Sequence, residues 1–325
     1  MFRIGRFLQA AMLVFAAASG GAVHSQTYPA KPIRLIVPYT AGGTLDLVAR
    51  TFAEAVSRGI GQPVIIDNKA GGNTFIGMGE CARAQPDGYT LCIINSDALS
   101  VAPSAFTKMP YVPTRDLTGI SIIAAPFAGV FARANVPFND FKGMLDYAKA
   151  NPGKLAYGSW GSGTNAQLHL ELFNQRLKAE MLLVPYKGSA DVLNAVLSGQ
   201  TELGYFALGQ VLPYIKEGKI KPIAITGARR APQLPNIQTM AELGVDLGVK
   251  SEFGIYAPAA TPSQIVQKLN SVFVGAVRDP KVQKMLSEQS MEPLGTTVDE
   301  INKAMKVQRE TAQLVYKDFN LKPID

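Results

Sequence analysis

Short apolar segments rich in β-branched residues alternate with amphipathic stretches along almost the whole chain, and this alternation restricts the fold more than any other feature. Strand candidates run from Ile33 to Val37, Val64 to Ile66, Leu91 to Ile94, Ile120 to Ile123 and Val130 to Ala132. The series continues with Leu155 to Tyr157, Met181 to Val184, Leu203 to Phe206, Ile223 to Ile225 and Phe253 to Tyr256. Between them the apolar residues change to a helical period. The clearest case is Leu45 to Val56, where Leu45, Val48, Ala49, Phe52 and Val56 share one face. Such alternation builds an α/β fold with mostly parallel strands. The last third changes character: Ser263 to Val277, Pro280 to Gln289 and Val298 to Phe319 read as successive helices, separated at Asp279-Pro280 and Leu294-Gly295-Thr296. These helices are expected to cap a lobe.

The first 25 residues stand apart and bear on the compartment. Arg3 and Arg6 give a basic start, Phe7 to Ala18 is an apolar run, and Val23-His24-Ser25 offers a small-residue cleavage site. The run is too short for a membrane span of roughly 20 residues. Residues 1–25 therefore read as a signal peptide cut after Ser25, with the mature chain in the periplasm, and no cysteine near the cut allows lipid attachment. About 300 residues remain, enough for two domains with a core in each. Losing Arg3 and Arg6 takes the formal charge from +7 to +5, which favours anionic small molecules. Lysine and arginine are scattered without a basic stripe, which argues against nucleic acid. Cys81 and Cys92, the only cysteines, either close a disulfide in this oxidising compartment or are two buried small residues.

Two glycine-rich turns carry the chemistry. In Val37-Pro38-Tyr39-Thr40-Ala41-Gly42-Gly43-Thr44-Leu45-Asp46 a buried strand runs through glycines directly into a helix. Backbone amides at such a turn, with a helix dipole behind them, hold a carboxylate or phosphate without a charged side chain. Thr44 is expected as the N-cap, and Asp46 suits the first turn. The bland alternative is a plain tight turn. Tyr157-Gly158-Ser159-Trp160-Gly161-Ser162-Gly163-Thr164-Asn165 repeats the pattern before a helix with Leu168, Leu170, Leu172 and Phe173. Two such turns at the carboxyl ends of strands can face each other across one cleft.

Enzyme readings fare worse. Gly161-Ser162-Gly163-Thr164-Asn165-Ala166 fits the dinucleotide spacing, yet the acidic residue expected at the end of the next strand is missing, since Glu180 precedes that strand and Pro185 follows it. That argues against an exported oxidoreductase. After cleavage His169 is the only histidine, so a multi-histidine metal site is excluded. A hydrolase triad would have to use it, without a G-x-S-x-G elbow. No catalytic residue, metal or cofactor is assigned.

The order of these motifs resembles the Bug family, the solute-binding proteins of tripartite tricarboxylate transporters. The resemblance is carried by Tyr28-Pro29 through Val37-Pro38, Ala41-Gly42-Gly43 with Asp46 and Ala49-Arg50, and Ile66-Asp67-Asn68-Lys69-Ala70-Gly71-Gly72. Pro86-Asp87-Gly88-Tyr89-Thr90-Leu91, Val184-Pro185-Tyr186-Lys187-Gly188-Ser189 and Ala257-Pro258-Ala259 complete it. It implies a periplasmic-binding-protein-like Venus flytrap: residues 26–126 plus 251–325 form one α/β lobe, and 127–250 an inserted second, with hinges near Phe127 and Lys250. It further implies a monomer that binds a small di- or tricarboxylate or an aromatic carboxylate. The captured ligand passes to integral-membrane transporter subunits; a sensor feeding a signalling partner is the alternative. The loops at Tyr39 to Asp46 and Gly158 to Asn165 would hold the ligand. Asn95, Ser96 and Asp97 would line the same cleft, His169 is counted among the ligand-binding residues, and Tyr186 and Lys187 would approach from the inserted lobe. Two departures matter. The family commonly has proline where this chain has Thr44, and aspartate where it has Ala207. Losing that acid argues against an amino-acid ligand, while Trp160 sets an aromatic plane in the second turn.

Overall fold

The computed structural model describes residues 28–324; the signal sequence and its cleavage site lie outside them. Strands β1 (Ile33–Val37), β2 (Val64–Asn68), β3 (Thr90–Asn95) and β4 (Leu117–Pro126) come first in the chain. After them run β5 (Ala128–Arg133), β6 (Ala156–Ser159), β7 (Leu182–Pro185), β8 (Leu203–Ala207) and β9 (Ile220–Ile225), and finally β10 (Phe253–Pro258) and β11 (Met291–Pro293). They form two sheets, ordered β11-β4-β10-β3-β1-β2 and β7-β6-β8-β5-β9. The first sheet thus draws on two separated stretches of chain, with the second sheet built from what lies between them.

Every strand candidate read from the sequence is present, but the expectation of mostly parallel strands is corrected. β1 runs parallel to β2 and β3, and β6 parallel to β7 and β8. β10 is antiparallel to β3 and β4, and β5 to β8 and β9. The cause is topological. Strands such as β3 and β8 end at the seam between the sheets, whereas β5 and β10 begin there, because each is reached by a crossing from the other body. Phe253 accordingly pairs with Asn95 and Ala128 with Ala207, start against end. β11, three residues paired antiparallel to the end of β4, is too short for periodicity to reveal.

The helix after β1 spans Thr44–Ile60 and ends at Gly61, whose φ of 76° places it in the left-handed region that glycine tolerates. Its face of Leu45, Val48, Ala49, Phe52 and Val56 is buried against the first sheet. The expected N-cap shifts by one residue: Gly43 is the cap and makes no side-chain bond, while Thr44 is already helical. Thr44 is free to do otherwise because its hydroxyl is engaged elsewhere, as described below. The C-terminal helices Ser263–Val277, Pro280–Glu288 and Val298–Asp318 pack on the first sheet and on Thr44–Ile60. The last opens with a capping box between Thr297 and Glu300. Cys81, on the helix Phe75–Ala82, is bonded to Cys92 on β3, with Cα atoms 6.1 Å apart. Among the described residues no helix is long and apolar enough to cross a membrane.

Candidate functional site

The first glycine turn leaves the end of β1 and enters the helix Thr44–Ile60 at the seam. Gly42 adopts φ 84°, with open space where a side chain would stand, and its amide donates to Asp46 Oδ2 at 3.0 Å. Asp46 also accepts from Arg50 Nε and Asn68 Nδ2, both at 3.0 Å. Burial opposes its ionisation, but the bonds from Arg50, Gly42 and Asn68 outweigh burial and hold the carboxyl below its usual range. Asp46 is therefore an internal brace that fixes the turn, ionised and already neutralised.

The other body meets this turn closely. Thr44 Oγ1 donates to Gln210 Oε1 at 3.1 Å, and Thr40 Oγ1 to Asp191 Oδ2 at 3.3 Å. A Cβ on Gly43 would stand 3.0 Å from Ser189 Oγ and 3.8 Å from the Ala190 amide. Thr44, Ser189 and Gln210 sit in the first turns of three helices, Thr44–Ile60, Ser189–Ser198 and Leu208–Lys216. The positive ends of three helix dipoles thus converge on one spot. Beside it lies a cavity of about 50 Å³, lined by Tyr39, Thr40, Gly43, Thr44, Leu45, Asp46, Asn95, Pro126, Ala128, Trp160, Ser189, Ala207, Gln210, Ser251 and Phe253. No lysine or arginine is among them. Tyr39, whose buried hydroxyl has no hydrogen-bond partner, belongs to this wall.

The second turn has the expected local structure and an unexpected occupant. Gly161 and Gly163 take φ of 126° and 70°, and Thr164 caps the helix Asn165–Gln175 by accepting from the Gln167 amide. Its donors, however, face protein acceptors. Asn73 Oδ1 takes the Ser162 amide at 3.0 Å, Gln167 Oε1 the Gly163 amide at 2.6 Å, and Ser159 Oγ the Gly161 amide at 3.3 Å. Asp97 Oδ2 takes both the Asn165 amide and Trp160 Nε1 at 3.3 Å. Asp97 is fully buried, and its Oδ1 has no partner. Burial outweighs the donated hydrogen bonds and pushes its carboxyl up to about 7. A carboxylate does sit in the second nest, and it is the protein's own.

Of the residues singled out from the sequence, Tyr39, Thr40, Gly43, Thr44, Asp46, Asn95, Trp160 and Ala207 line the cavity. Ala41 and Gly42 lie in the same turn, exposed, and are not part of the cavity wall. Ser159, Gly161, Ser162, Gly163, Thr164 and Asn165 are taken up by the contacts just described, and Ser96 by Lys250 O and the Glu252 amide. His169 does not reach the cavity: it is buried with Nδ1 against Asn165 O at 2.8 Å and its ring stacked on Tyr205. Burial pushes its pKa down, so it is neutral. Tyr186 packs against the smaller core cluster around Phe131 and Phe206, and Lys187 is exposed. Pro126, Ala128, Ser189, Gln210, Ser251 and Phe253 were missed. Gln210 and Ser189 follow strand ends into helices as Thr44 does, and that repeated position was the available signal.

The arrangement defines a two-lobed α/β binding protein in which helix N-termini meet beside a cavity at the seam. The family model of the tripartite tricarboxylate transporter family receptor (TctC) matches residues 48–321. The chain belongs to this family, and within it to the Bug type. It is 32% identical to a UPF0065 protein of Bordetella pertussis over 99% of both chains. The structure of the periplasmic binding protein BugD matches with a TM-score of 0.86 and 30% identity, covering 91% of this chain and 100% of that one. R. palustris Rpa4515 with adipate matches with a TM-score of 0.85 and 30% identity, at the same coverage.

Proposed function

We propose that this chain is an exported, periplasmic solute-binding protein that captures a small organic carboxylate in the cavity at the first glycine turn and delivers it to integral-membrane transporter subunits. The observation that carries the reading is the convergence of three helix N-termini, at Thr44, Ser189 and Gln210, on a cavity without a cationic side chain. Oriented amides and hydroxyls complement one carboxylate there, and closing the two bodies over it excludes water and strengthens those bonds. The relative solved with adipate supports a carboxylate ligand. Movement occurs at the two chain crossings near Phe127 and Lys250, and the closed form is what a membrane partner recognises. The protein acts as a monomer, and no step in this reading makes or breaks a bond.

Thermal denaturation of the purified protein against a library of small carboxylates tests the reading. A ligand present at a hundred times its Kd stabilises the folded state by about 2.7 kcal/mol, so a clear rise in Tm is expected for at least one carboxylate. A library in which no carboxylate moves the Tm, while a neutral or cationic solute does, refutes it.

A further inference from the structure

We propose that the ligand is a monocarboxylate with an uncharged, largely apolar body, and that di- and tricarboxylates are excluded. This rests on the carboxylate reading above and narrows it.

The first observation concerns the number of places where an anion can be held. Two glycine turns of the same chemistry invite a ligand with a carboxylate at each end. One of them is already filled: the second turn donates to Asn73, Gln167, Ser159 and the buried carboxylate of Asp97. A second ligand carboxylate brought there would find the Gly161, Ser162, Gly163 and Asn165 amides already engaged and would face Asp97, a like charge once ionised. The remaining donors belong to a single cluster, because Ser189 Oγ lies 3.0 Å and the Ala190 amide 3.8 Å from the position of a Gly43 Cβ, and Thr44 touches Gln210 at 3.1 Å. That cluster complements one anion.

The second observation concerns the rest of the wall. Asn95 and Ser251 satisfy each other, Nδ2 to Oγ at 3.0 Å and Oγ to Oδ1 at 3.2 Å. Asp46, the sole charged side chain at the cavity, is itself an anion held by Arg50. What remains is Leu45, Pro126, Ala128, Trp160, Ala207 and Phe253, an apolar surface with two aromatic rings. The hydroxyl of Tyr39 is a single unpartnered polar group beside it, suited to one neutral polar substituent. A charged group buried without a partner in such surroundings is strongly unfavourable, whereas a methylene chain or an aromatic ring gains from the same wall.

The test compares ligands that differ only by the second carboxylate. Calorimetric titration of the purified protein at pH 7.5 with hexanoate against adipate, and with benzoate against phthalate, reads the preference directly; malate and citrate extend the series. The expected result is that at least one monocarboxylate binds a hundredfold or more tighter than its dicarboxylate counterpart, with malate and citrate silent. A dicarboxylate that binds as tightly as its monocarboxylate partner, or tighter, overturns the inference while leaving the carboxylate reading intact. Silence from every carboxylate in the series, with binding of a neutral solute, overturns both.

Discussion

Replacing Asp97 by asparagine should change the pH dependence of stability in a direction fixed by where that carboxylate sits. The side chain is fully buried, its Oδ2 accepts from Trp160 Nε1 and the Asn165 amide, and its Oδ1 has no partner. Burial pushes its carboxyl from the usual 3.8 up to about 7. Between those values the folded protein keeps a proton that the unfolded chain releases, so stability falls as pH rises from about 4 to about 7 and is level above that. The rise corresponds to about 4 kcal/mol at about 1.4 kcal/mol per pH unit, an upper bound because relaxation around a buried charge reduces it. Asp97→Asn removes this limb. The variant should match the wild type near pH 4 and exceed it at pH 8, by an amount approaching that figure. Other buried groups titrate in the same window. His169, whose pKa burial lowers, destabilises the fold as pH falls below its usual value, while Glu252, raised by burial, acts in the same sense as Asp97. Both are present in the two proteins and cancel in the difference. Tyr39, Tyr111 and Tyr205, which face Asp97, stay neutral throughout because burial raises their pKa values. Urea unfolding followed by the fluorescence of Trp160, the one tryptophan and a direct contact of Asp97, measures it at each pH. A stability difference that stays constant from pH 4 to pH 8, or grows in favour of the wild type, refutes the assignment of Asp97 as a buried group that prefers its proton.

Two further outcomes follow from the same geometry. Gly43 has φ −79°, which any residue adopts, yet its Cβ would press on Ser189 at 3.0 Å, so Gly43→Val should leave the Tm of the unliganded protein unchanged and hold the bodies apart. Overpacking of this kind costs about 1 to 3 kcal/mol, and calorimetry should show carboxylate affinity falling about tenfold to a hundredfold; unchanged affinity would remove the first turn from the site. The Cys81–Cys92 bond closes a short loop joining a helix to β3, and replacing both cysteines by alanine should lower unfolding stability by about 3 kcal/mol without altering ligand affinity. An equal urea midpoint for the variant and the parent would contradict that.

The strands were legible because most are short apolar runs bounded by turn residues, and several, such as β1 and β4, are buried and rich in isoleucine and valine. Strand direction was not, because it depends on which body the chain comes from when it enters a sheet, and local periodicity carries no record of that. β5 and β10 illustrate it: both are apolar runs like β1, and both run the other way. Gln210 and Ser251 were illegible for a related reason. Each lies just beyond or before a strand terminus, where only the pairing of β8 with β5 and of β10 with β3 brings it to the seam.

The two glycine turns show the sharper limit. Sequence establishes that a turn between strand and helix has amides to donate, but the acceptor arrives from elsewhere in the chain. At the first turn the neighbours that approach Gly43 and Thr44 are Ser189 and Gln210, which bring hydroxyl and amide groups rather than a carboxylate. At the second, Asp97 arrives from a segment far earlier in the chain and takes the Asn165 amide, Asn73 from earlier still takes that of Ser162, and the local Ser159 and Gln167 take those of Gly161 and Gly163. Identical local chemistry therefore has opposite outcomes. The first turn meets only hydroxyl and amide groups, and the second ties the two bodies together through the Asp97 carboxyl group. That difference also accounts for Trp160: its indole N–H is spent on Asp97, so what it can offer the cavity is an aromatic surface, and with Ala207 beside the cavity in place of an acid, the wall there is apolar.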